Sequence, residues 1–196
     1  MPSLPYPIAC HWACVDDDRL YIFGGYIQGK LSNKVAYLQS GSDHWVSVCP
    51  MEKGRIRGIA CALDHFIYVI GGIGEGYMYH SLDRYDPTTN TWESVLSEID
   101  LRISQYDNLT AFDGHLYYLG YSHRTNCPHY YDNIKQYDPI QNKFISSTAN
   151  QEQLLRTVRF INTSKIRRSR GLIFRESTSA ASTSDDQKQV KRPRQD

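Results

Sequence analysis

The chain has 196 residues, enough for one ordinary domain, and a net charge of +1. No apolar run approaches the length that spans a bilayer, and the N-terminus lacks the basic segment and apolar core of a secretory signal. The reading is a cytoplasmic chain, with the nucleus as the alternative, and neither a membrane nor a nucleic acid is an expected partner. The neutral total hides an asymmetry: residues 151–196 hold 11 Lys and Arg against 5 Asp and Glu. Fifteen tyrosines and thirteen glycines suit short strands punctuated by turns. The five cysteines are odd in number, and without a signal sequence they read as reduced thiols.

In chain order the same phrase recurs three times. An apolar stretch (Ile8 to Val15) meets a polar turn (Asp16-Asp17-Asp18). A second strand, Leu20 to Phe23, then runs into Gly24-Gly25. The phrase returns as Ile59 to Leu63, Asp64-His65 and Ile67 to Ile70 before Gly71-Gly72. It returns again as Leu109 to Phe112, Asp113-Gly114 and Leu116 to Leu119 before Gly120-Tyr121. Asp-Gly favours a hairpin because both positions tolerate positive φ. A third strand ends in tyrosine each time: Tyr37, Tyr85, Tyr137. A turn follows, clearest in Asp86-Pro87-Thr88-Thr89-Asn90 and Asp138-Pro139-Ile140-Gln141-Asn142. The first turn lacks Asp-Pro and reads as one residue longer. The fourth strand starts on an aromatic: Trp45, Trp92, Phe144.

A double glycine after an apolar strand, a tyrosine with an Asp-Pro turn and a following tryptophan resemble the kelch repeat, at a period near 50. The resemblance implies an all-β fold: a partial kelch β-propeller of about three four-stranded antiparallel blades. The blades occupy 1–48, 49–95 and 96–149, the first opening at a blade junction and the last degenerate. Residues 150–175 read as a short helix or a hairpin, with Leu154, Leu155, Val158 and Ile161 on one helical face. Residues 176–196 read as a disordered basic, Ser-rich tail. Propellers usually close with about 4–8 blades, so three leave an open arc, and the chain is expected to be a truncated product, splice form or partial gene model of a larger kelch protein.

The wording of the blocks is most similar to the kelch domain of BTB–kelch proteins. That resemblance implies substrate recognition for a cullin-RING ubiquitin ligase, with a cullin reached only through a BTB domain that this sequence does not carry. The alternatives are a cytoskeletal, actin-associated scaffold and a nuclear protein acting through Lys165–Arg170 and Lys191–Arg194. The expected partner is a protein: a substrate or a cytoskeletal component.

In a meander blade, the loop after the second strand and the connection to the next blade leave at the same end. That convergence selects the candidate partner-binding residues. They are Tyr26, Gln28 and Lys30 in block one, Arg55, Arg57, Tyr77, Tyr79 and His80 in block two, and Tyr121, His123 and Arg124 in block three. Clustered Tyr and Arg make good interface anchors. No catalytic set is read: the glycine-rich segment 71–76 follows a strand and leads into a Tyr-rich loop, and no serine sits in a nucleophile elbow. His123, Cys127 and His129 lack a fourth ligand. Neither a metal nor a cofactor is expected.

Overall fold

The structure is a computed structural model that describes residues 2–99, 101, 107–121 and 131–146, with the side chains of Tyr121, Tyr131 and Asp132 left out. The candidates His123, Arg124, Cys127 and His129 and the whole tail lie outside the described residues. Within them, all regular structure is strand. The first blade holds β1 (Trp12–Asp16), β2 (Arg19–Phe23), β5 (Val35–Gln39) and β6 (Trp45–Val48). A small hairpin, β3 (Tyr26–Ile27) with β4 (Lys30–Leu31), stands on the loop between β2 and β5. The second blade is β7 (Ile59–Leu63), β8 (Phe66–Ile70), β9 (Leu82–Asp86) and β10 (Thr91–Leu96). The third is β11 (Asn108–Phe112), β12 (His115–Tyr121), β13 (Tyr131–Asp138) and β14 (Lys143–Ser146). Each is a four-stranded antiparallel meander paired in chain order. The hairpin turns sit where the sequence puts them, with Asp64 and His65, and Asp113 and Gly114, all at positive φ.

Alternation along each strand sends side chains to two faces, and neighbouring blades share the apolar groups between them. Cys14, Tyr21, Phe23 and Val35 of the first blade pack with Ile67, Val69 and Tyr85 of the second. Tyr68, Ile70 and Leu82 of the second pack with Leu109, Leu116 and Tyr118 of the third. β7 touches both β1 and β11, so the first strands of the three blades are neighbours.

The turn before the fourth strand joins blades. Tyr85 donates its hydroxyl to Asn90 Oδ1 at 2.8 Å, and the same oxygen accepts Cys49 N from the first blade at 2.8 Å. Trp92 Nε1 donates to Cys49 O at 2.9 Å. The third blade repeats the first of these bonds: Tyr137 donates to Asn142 Oδ1 at 2.8 Å. Its Phe144 has no N–H, and Asn142 Nδ2 instead donates to Val95 O at 3.2 Å. Asp86 and Asp138 fix the turns by accepting Thr88 N and Ile140 N, each at 2.8 Å. Burial pushes the Tyr85 phenol well above its ordinary value.

One expectation is corrected. Tyr37 is not the counterpart of Tyr85. Ile67 pairs with Tyr85, and Leu20, at the same place in the first blade, pairs with Leu38. Tyr37 sits opposite Tyr21 and faces the second blade. The first turn therefore has the same length as the second, because a one-residue offset in a strand reverses the face.

Replacing Trp92 with Ala removes an inter-blade aromatic and its bond to Cys49. Urea unfolding is expected to show a loss of about 3 kcal/mol, and Trp92→Phe a loss of about 1 kcal/mol. An unchanged midpoint for Trp92→Ala contradicts this placement.

Candidate partner-binding face

The glycine pairs stand where backbones from different parts of the arc approach too closely for a side chain. Gly25, at φ 96°, donates its N–H to Arg55 O at 2.8 Å. A Cβ there would lie 2.7 Å from Ala9 O. Gly72, at φ 104°, would place a Cβ 3.0 Å from Ile56 O. Left-handed backbone and lack of space both demand glycine.

From these corners a ladder of short segments crosses the loop end of the first two blades. Leu31 pairs with Tyr26, and Tyr26 with Ala9. Arg57 N donates to Cys10 O at 3.4 Å. Ile56 pairs with Ile73, and Ile73 with Met78. The loops after β2 and β8 and the connection between the blades are therefore tied together on one end by backbone hydrogen bonds. Cys10 and Arg57 occupy equivalent places in the repeat, and both adopt left-handed φ, 56° and 55°.

Arg55 braces this corner. It is 3% exposed. Its Nη2 meets Asp83 Oδ2 at 2.7 Å, its Nη1 donates to Gly71 O at 3.2 Å, and its guanidinium lies 4.6 Å from the centre of the Tyr79 ring. Asp83 also accepts Ser81 Oγ at 3.2 Å. Through its main chain Arg55 holds the first blade's glycine, and through its side chain the second blade's. Its polar atoms are turned inward, so the expected surface anchor is a buried structural link.

The other candidates divide by exposure. Tyr26 is 38% and Tyr77 52% exposed, and Met78 joins them at 41% although the sequence reading did not select it. Gln28, Lys30, Arg57 and His80 are exposed. Gln28 and Gly29 make the tip of the β3–β4 hairpin, both at positive φ. Tyr79 is half-buried. Its ring packs edge-on against Tyr77 at 5.0 Å, and the two hydroxyls lie 3.3 Å apart. Burial, then the Tyr77 hydroxyl, push the Tyr79 phenol up to about 12. Tyr121 closes β12, whereas His123 and Arg124 lie outside the described residues. Asp83 was missed because the adjacent Arg84 looks like its partner, whereas strand alternation sends Arg84 to the other face, where it meets Glu93.

Among the described residues, no three His, Cys, Asp or Glu side chains group so as to hold a metal. The resources of the face are aromatic rings, a thioether, exposed cations and ordered backbone, which suit contact with another macromolecule.

A family model described as the KLHDC2/KLHL20/DRC7 Kelch-repeats domain matches residues 2–164. The chain belongs to the kelch-repeat family. Similar proteins include an F-box/kelch-repeat protein of Arabidopsis thaliana, 34% identical over 90 residues, covering 43% of this chain and 26% of that protein. Kelch-like protein 35 of Mus musculus is 33% identical over 96 residues, covering 48% of this chain and 16% of that protein. Kelch repeat and BTB domain-containing protein 12 of Homo sapiens is 29% identical over 140 residues, covering 61% and 22%. The chain thus matches about a quarter or less of the length of these relatives. Among solved structures, YjhT superposes with a TM-score of 0.60 at 17% identity, over 75% of this chain and 53% of its own. That likeness concerns the fold.

Two neighbouring arginines are expected to behave differently. Arg55→Ala leaves Asp83 without its cation and should cost about 3–5 kcal/mol in denaturant unfolding. Arg57→Ala, at an exposed position, should stay within about 0.5 kcal/mol of the parent. Equal effects contradict the assignment of Arg55 as the brace.

Proposed function

We propose that this kelch arc is a non-enzymatic protein-interaction module that holds a partner protein on the loop end of its blades. The observation that carries the reading is the backbone ladder from Leu31 to Met78, which fixes exposed Tyr26, Tyr77, Met78 and Arg57 on one ordered face. Ordered presentation lowers the entropy lost on binding, and aromatic and Arg side chains supply most of the energy at interfaces.

In finer terms, the reading is substrate recognition for a cullin-RING ubiquitin ligase through a BTB–kelch parent, in the cytoplasm. Support comes from relatives whose names join kelch repeats to BTB or F-box domains. A cytoskeletal scaffold would use the same face for a different client. Affinity capture followed by mass spectrometry separates the two: recovery of cullin and BTB proteins supports the first, and recovery of actin the second.

Tyr77→Ala and Arg57→Ala are each expected to weaken capture of the client about tenfold while leaving the melting temperature unchanged. Capture that survives both substitutions, or that falls only in step with the melting temperature, contradicts a binding role for this face.

A further inference from the structure

The glycine corners of the first two blades are framed alike but furnished differently. By strand register, Ala36 of the first blade corresponds to Asp83 of the second. By the short pairings of the loop end, Ile8 corresponds to Arg55, Ile27 to Gly74 and Ser32 to Tyr79. Ser32 N donates to Gly25 O as Tyr79 N donates to Gly72 O, both at 2.8 Å. Ile8 lies against Gly25 as Arg55 lies against Gly72. Small and apolar side chains furnish the first corner, whereas the second carries a column of larger groups.

That column runs from the interior to the surface. Asp83 holds Arg55 Nη2 at 2.7 Å, and the guanidinium lies 4.6 Å from the centre of the Tyr79 ring. The Tyr79 ring meets Tyr77 edge-on at 5.0 Å, with the planes at 71°. The Arg55 side chain is 4% exposed, Tyr79 is half-buried and Tyr77 is 52% exposed, so each group rests on a better buried one. A desolvated cation under a ring and an edge-to-face ring pair both have preferred geometries. The two hydroxyls, 3.3 Å apart, fix the tilt between the rings.

Gly74 is the mark of this arrangement in the sequence. Unlike Gly72 and Gly76, it does not adopt left-handed φ, so its backbone does not ask for glycine. The ring asks for it: a Cβ at Gly74 would lie 2.7 Å from Tyr79 Oη and 2.8 Å from Tyr79 Cε2. In the first blade the same place is taken by Ile27, and the residue opposite is the small Ser32.

We propose that Tyr79 is the positioning residue of the loop-end face, carrying the fixity of the buried Arg55–Asp83 pair out to Tyr77. A partner then meets Tyr77 in one pose, and an aromatic already held loses less entropy on binding. The corresponding residue of the first blade is Lys30, whose long side chain has more rotamer freedom to lose. The second blade therefore supplies the rigid anchor that sets specificity. The proposal rests on the loop end being the partner-binding face.

Fluorine NMR of the full chain labelled with meta-fluorotyrosine tests the positioning without any partner, the Tyr77 signal being assigned by its loss in Tyr77→Phe. In the parent it should stand away from the free amino acid's position. Tyr79→Leu should return it there, Tyr79→Phe should keep it displaced, and Gly74→Ala, which crowds the ring without removing it, should shift it too. The protein most abundant in the parent chain's affinity eluate, purified and titrated, is the binding probe. Its affinity should fall about tenfold in Tyr79→Leu and stay within about twofold in Tyr79→Phe. Tyr77→Ala combined with Tyr79→Leu should bind no worse than Tyr77→Ala alone, because Tyr79 acts through Tyr77. A Tyr77 signal at the free position in the parent, or one unmoved by Tyr79→Leu, overturns the proposal, as do additive losses in the double variant. A signal that responds as expected while binding is indifferent to Tyr77→Ala contradicts the loop-end reading itself, and the role of Tyr79 falls with it.

Discussion

The close backbone approach at Gly25 and Gly72 is the constraint from which the rest of the arc follows. At Gly25 three stretches meet: the end of β2, the segment before β1, and the connection into the second blade. A side chain there would collide with main-chain carbonyls, which cannot move aside as a side chain can. The glycines therefore let the connection lie flat across the blade end. Arg55 then ties one corner to the next, its carbonyl on Gly25 and its guanidinium on Gly71 and Asp83. A buried arginine is tolerated because two of its nitrogens and the Tyr79 ring answer its charge.

The opposite margin of each blade is held by different chemistry. Asn90, seated by the hydroxyl of Tyr85, accepts from Cys49, and Trp92 donates to it. Between the two margins lies an apolar layer that neither blade can bury alone. Stability in such an arc is a sum of blade and interface terms between neighbours. The second blade, covered on both faces, has its chemistry most fully met. The first has the same strands and register but keeps an unmet indole N–H at Trp45 and an open Val15 and Leu20. The same device that orders the interfaces also orders the loop end, since the connection that joins two blades forms the middle rungs of the ladder there.

Much of this was legible in the sequence, and the parts that were not share a cause. The strands, hairpin turns, glycine corners and aromatic starts of the fourth strands follow from local rules, so reading them in order placed three antiparallel blades. Tyr37 misled because matching by residue type ignored the alternation of a strand, which the pairing of Leu20 with Leu38 settles. Arg55 misled because a loop arginine looks solvated until the strand carrying Asp83 is folded beside it, 28 residues on. Met78 was passed over because its exposure depends on pairing with Ile73 rather than on its own sequence context. In each case a non-local partner decides what a side chain does.

The central claim is that the glycine corner, clamped by Arg55, holds the first two blades together as one unit. Hydrogen exchange at the Gly25 amide in the full chain tests it most directly. That amide, bonded to Arg55 O, should exchange as slowly as the amides of β8, opening only when the blades unfold together. Exchange at the rate of a frayed loop, with β8 still protected, would contradict the account.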